Sequence, residues 1–93
     1  MKVWLVTKSA HDEDHDWVVV LGIYGDRKKA EARVTEVFSD IKDSFKEKYE
    51  KDEIETDTYA GYAEIRTIGD AFEAATVKAV DYELDRKQFD LID

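Results

Sequence analysis

Three carboxylate triplets recur in this chain with one spacing: Asp12/Asp14/Asp16, Glu53/Glu55/Asp57 and Asp81/Glu83/Asp85. On an extended backbone, residues two apart project to the same side about 6.6–6.8 Å from one another. That pitch is close to two steps of a nucleic-acid strand, which advances ~3.4 Å of axis per phosphate. A row of this kind can stand in for a phosphate backbone against a Lys/Arg surface, so the chemistry it offers is recognition. The plainer reading is a set of solvated loops and polar strand faces, because charge runs usually serve solubility.

His11-Asp12-Glu13-Asp14-His15-Asp16 places six metal-capable side chains in a row, but neighbouring ligands on a loop converge only when a scaffold bends them. As a calcium loop the stretch fails, since Trp17 stands where glycine is required and Ile23 where glutamate is. The run from Glu53 does reach Glu64 at the twelfth place, yet Thr58 again replaces the glycine. No dedicated metal site and no cofactor are expected. Carboxylates and histidines can perform acid–base work, but the four glycines are scattered and no serine has a nucleophile-elbow context. An enzyme is not expected. Trp4, Trp17, Tyr24, Tyr59, Tyr62 and Tyr82 could form a base-stacking platform only beside a basic groove. Tyr59 and Tyr62 are better candidates for aromatic anchors in a protein interface.

The bulk numbers agree with recognition. The 93 residues fit one domain, 1–93, and 43% hydrophobic content is enough for a core despite 40% charged residues. The net charge of −9 is unevenly spread. Residues 27–51 hold eight cations and six carboxylates, a net of +2, and the remaining residues hold six cations and seventeen carboxylates, a net of −11. Such a field steers basic partners in and disfavours direct contact with nucleic acid or anionic membranes. With no cysteine, disulfides and thiolate chemistry are excluded, which suits a cytoplasmic protein. The apolar run at Val3–Val6 is too short for a signal-peptide core, and no stretch is long enough to span a bilayer.

These side chains must be positioned by a small set of elements. Residues 2–7 and 17–24 are rich in β-branched and aromatic types and predict two strands. The polar residues 8–16 between them are a loop or the extended end of a hairpin. Asp26 is a good helix cap, and Ala30, Val34, Val37, Phe38, Ile41, Phe45 and Tyr49 recur at steps of three and four. The spacing predicts a helix over 27–49, roughly 34 Å long at ~1.5 Å per residue. A polar break at 51–53 leads to a strand over 57–67, with Gly61 marking a bulge or close approach. A turn at 68–70 and a last strand over 72–84 follow, and residues 86–93 could add one helical turn docked through Phe89 or Leu91. The expected fold is α+β: a small antiparallel sheet in ββαββ order, with one long amphipathic helix on one face.

Val3-Trp4-Leu5-Val6, Val20-Leu21-Gly22-Ile23-Tyr24, Asp26 with Lys29-Ala30-Glu31, and Val80-Asp81-Tyr82-Glu83-Leu84-Asp85 resemble a group of short uncharacterised phage and bacterial proteins. Those proteins show a V-Y-x-V strand, a G-V-F-S-S-E-E-K-A strand-to-helix junction and a closing Y-E-L-D strand. The likeness covers the two ends and the helix start. It implies a fold and a phage or mobile-element origin, and with the acidity it makes an inhibitor of the anti-CRISPR kind the concrete expectation. In that reading the triplets, with Tyr59 and Tyr62, cover a basic nucleic-acid-binding host protein. The alternative is a homodimer or other homo-oligomeric module, acidic only for solubility, working through an apolar patch near Phe45, Tyr49, Tyr59 or Phe89. Whether the fold gathers the triplets on one side separates the two.

Overall fold

A computed structural model describes residues 1–69 and 72–83. Strands β1 (Lys2–Asp12) and β2 (Asp16–Tyr24) lead into helix α1 (Arg27–Lys48), and β3 (Ile54–Tyr59), β4 (Tyr62–Thr67) and β5 (Glu73–Glu83) follow. The five strands form one antiparallel sheet in the order β2-β1-β5-β4-β3. The fold is therefore α+β as expected, but the strand order departs from ββαββ. What reads as one strand over 57–67 is two, β3 and β4, and the stretch 8–16 is mostly the extended end of a long hairpin. The helical turn anticipated at 86–93 lies outside the described residues.

Gly61 explains the extra strand. Its φ of +76° turns the chain back so that Tyr59 pairs with Tyr62, and its carbonyl accepts a hydrogen bond from the Ala79 amide at 2.8 Å. An added Cβ would lie 3.6 Å from Glu31 Cγ, which is ordinary contact. The cost of Gly61→Ala is therefore one of backbone conformation, about 1–2 kcal/mol for a left-handed L-residue. Urea unfolding should show that loss, with Gly61→Asn losing less.

Helix α1 begins where Asp26 Oδ1 accepts the Lys28 amide at 2.8 Å. Its stripe of Ala30, Val34, Phe38, Ile41 and Phe45 is buried against Val6, Ala63, Ile65, Ala75 and Val77. The sheet side of this contact is made of small residues: Ala10 pairs with Ala75, Ala63 with Val77, and Val6 with Ala79. Small side chains under large ones let the helix sit close, and this explains why β5 tolerates alanines that disfavour strands.

Strand alternation sends every second residue to the other side. There Val18, Val20 and Ile23 of β2 lie beside Leu5 and Thr7 of β1, Thr76 and Lys78 of β5, Glu64 and Arg66 of β4, and Glu55 and Asp57 of β3. Among the described residues no helix lies over this face. Val18 is 67% and Ile23 65% exposed. The sheet thus has one core side and one open side.

Candidate functional site

The three carboxylate triplets do not converge. Asp12, Asp14 and Asp16 belong to the β1–β2 hairpin end, where Asp12 builds the turn: its Oδ1 accepts the amides of Asp14 at 2.9 Å and His15 at 2.8 Å. Those two backbone bonds, with the nearby His15 imidazole adding to them, hold the Asp12 carboxyl below the usual range. His11 Nδ1 lies 3.4 Å from Asp16 Oδ1 and His15 Nδ1 3.5 Å from Asp12 Oδ1. Among the described residues no three His, Asp or Glu side chains come together as a ligand set for a metal ion.

Asp81 and Glu83 sit at the opposite end of β5 and on the side that faces α1, as the pairing of Asp81 with the core-packed Trp4 shows. Lys2 Nζ approaches Asp81 at 3.4 Å, and the N-terminal amine donates to Glu83 Oε1 at 3.0 Å. Eight residue steps along β1 separate Trp4 from Asp12, about 27 Å of strand. Asp85 lies outside the described residues.

The middle triplet divides. Glu53 falls in the short 3-10 turn Lys51–Glu53, where its Oε1 accepts the Glu50 amide at 2.9 Å. Glu55 and Asp57 alternate onto the open face of β3 and meet residues that the triplet pattern does not include. Arg66 reaches Glu55 at 3.1 Å, Asp57 at 3.3 Å and Glu64 at 2.7 Å. Tyr62 donates its hydroxyl proton to Glu64 Oε2 at 2.7 Å, and its ring lies 5.7 Å from that of Tyr59 at 45°. Four sequence-predicted site residues, Glu55, Asp57, Tyr59 and Tyr62, are thus brought together with Glu64 and Arg66 at one corner of the open face. The missed pair had a signal: Tyr62, Glu64 and Arg66 alternate with Ala63 and Ile65, the mark of a strand with one buried side.

The corner is electrostatically defined. The Tyr62 hydroxyl, and after it the Arg66 guanidinium, hold the Glu64 carboxyl below its ordinary value, and the same carboxylate pushes the Tyr62 phenol up. A carboxyl whose pKa is lower in the folded state contributes stability above its unfolded value, and loses it as pH falls through the folded one. Melting temperature should therefore drop on acidification below about pH 4.5, and Glu64→Gln should flatten part of that acid limb. An identical limb in the variant would mean that this hydrogen bond is not held in solution.

A second polar tie faces the helix side. The Tyr49 hydroxyl donates to Glu73 Oε2 at 2.6 Å, with Lys48 Nζ 3.4 Å from Oε1, fastening the end of α1 to β5. That acceptor raises the Tyr49 phenol above its usual value. Tyr49 and Phe45, considered as an apolar docking patch, are instead a helix-to-sheet fastening and a core side chain.

No described helix is long and apolar enough to cross a membrane. Compared with family models, curated proteins and solved structures, the chain matches none, so its site is read from its own geometry.

Proposed function

We propose that the chain is a small, non-enzymatic acidic binding protein that takes the basic, nucleic-acid-binding surface of a partner protein at the open β3–β4 corner. The observation that carries this reading is the set of three carboxylates, Glu55, Asp57 and Glu64, on two adjacent strands of a face that no helix covers among the described residues, flanked by the Tyr59–Tyr62 ring pair. Arg66 neutralises one of the three charges and also fixes their positions, so a partner meets preorganised acceptors. The scatter of the triplets narrows the footprint: residues 12–16 and 81–83 contribute to the long-range field that steers a basic partner in, not to a continuous row of phosphate substitutes.

The likeness of the chain ends to phage proteins makes the concrete version an inhibitor of a host defence protein, of the anti-CRISPR kind, working in the host cytoplasm. Contacts of this type are screened over ~8 Å at physiological ionic strength. Capture from nuclease-treated host lysate should therefore retain a nucleic-acid-binding protein at low salt and release it at high salt. Retention that does not change with salt counts against the reading.

A further inference from the structure

The two outer strands of the sheet are guarded differently. β3 is six residues long and carries Glu55 and Asp57. β2 is nine residues long and has no charged residue from Trp17 to Tyr24, in a chain that is 40% charged. Val18, Val20 and Ile23 are exposed on its open face, and Trp17 and Val19 on the side that faces α1. An outer strand leaves half of its backbone donors and acceptors without a ladder partner, and proteins normally blunt such edges with charge, proline or shortness. The one interruption is Leu21, where the register with β1 shifts, leaving Asp16–Val20 and Gly22–Tyr24 as regular segments on either side of a single bulge.

The charges beyond the two ends of β2 say what covers it. Before it comes the hairpin tip with Asp12, Glu13, Asp14 and Asp16. After it come the cap residue Asp26, whose carboxylate is held by the Lys28 amide, and the first turn of α1 with Arg27, Lys28 and Lys29, a net of +2. Arg27 is taken up by Glu31 along the helix at 2.8 Å, but Lys28 and Lys29 are cations at the positive end of a helix dipole, the unfavourable arrangement, so helix stability does not account for those two. Antiparallel self-pairing sets the acidic tip of one copy beside the basic helix start of the other, twice, by symmetry. Parallel pairing would set like against like.

We propose that two copies of this chain join through β2, antiparallel about a two-fold axis near Val20, into one continuous ten-stranded sheet. Trp17, Val18, Val19, Val20 and Ile23 line the junction, and the acidic hairpin tips close against the Arg27–Lys29 turns. The β3–β4 corners fall at the far ends of the joined sheet, so the dimer stands or falls independently of what those corners bind.

Sedimentation of the full chain should show a dimer at about 10 µM, and Val18→Lys with Val20→Lys should shift the equilibrium to monomer by at least a hundredfold in Kd with unchanged circular dichroism. The chain has no cysteine, so a single introduced one reports alone. Val20→Cys should form an intermolecular disulfide under mild oxidation, because paired Cα atoms lie about 4.5–5.5 Å apart across antiparallel strands. Thr58→Cys on the β3 edge should not. If the lysine variant fails to fold, the cysteine pair decides. A chain that stays monomeric at about 100 µM, or that cross-links through Thr58→Cys and not through Val20→Cys, overturns the proposal.

Discussion

Phe45→Ala is expected to destabilise the domain by about 3–5 kcal/mol, the range for removing a buried aromatic ring from a packed core. Phe45 is 5% exposed, belongs to the same core cluster as Ala75, and stacks with Tyr49 at a ring separation of 5.9 Å. The alanines on the sheet cannot move up to fill the space, so the cavity remains. A domain of this size has a total stability of roughly 5–14 kcal/mol, and the loss is a large part of it. Thermal and urea unfolding should show a fall in Tm of more than about 10 °C. Ile23→Ala, on the open face, is the informative comparison. Its side chain is 65% exposed, so the same truncation should stay within about 0.5–1 kcal/mol. Equal losses at the two sites, measured at concentrations too low for copies to pair through β2, would mean that the open face is covered within the chain and the one-sided core is wrong.

The second large effect is on binding. Reversing Glu55 and Asp57 to lysine places like charges against a basic partner, and such juxtapositions cost several kcal/mol. Affinity for a captured nucleic-acid-binding protein should fall at least a hundredfold, about 2.7 kcal/mol. Folding should survive, because both carboxylates are about half exposed, at 50% and 47%, and ion pairs reached by solvent contribute at most about 1 kcal/mol. The matched control is Asp81→Lys with Glu83→Lys. It makes the same change in net charge at the other end of the sheet and on the other side, so it should lower the association rate modestly and leave the contact itself intact. Equal losses from the two pairs would reduce the site to net charge.

Some of this was legible in the residues. The helix was, because Ala30, Val34, Phe38, Ile41 and Phe45 carry a clean 3.6-residue period and Asp26 marks the start, and both the cap and the stripe are as the pattern demands. Strands β1, β2 and β5 were, from their β-branched and aromatic runs. The β3–β4 turn was not, because Ala60-Gly61 lacks the Asn-Gly or Asp-Gly signature of tight hairpins and a lone glycine within a strand pattern also fits a bulge. The site was half legible. A period of two places Glu55 and Asp57 on one side of their strand, but it does not say which strand lies alongside, and the neighbour supplies Glu64 and Arg66. Period two also fails where the chain leaves the extended state, as at the Asp12 turn and in the 3-10 turn at Glu53, so those carboxylates serve local backbone amides.

The β3–β4 corner is proposed to occupy the place of nucleic acid on a basic partner. Titrating nucleic acid into the complex of this chain with its captured partner, at fixed salt, tests it most directly. One-for-one displacement is expected, with the Glu55→Lys/Asp57→Lys chain displaced at far lower nucleic-acid concentrations than the parent. A ternary complex, with nucleic acid bound and this chain still held at full affinity, would contradict it.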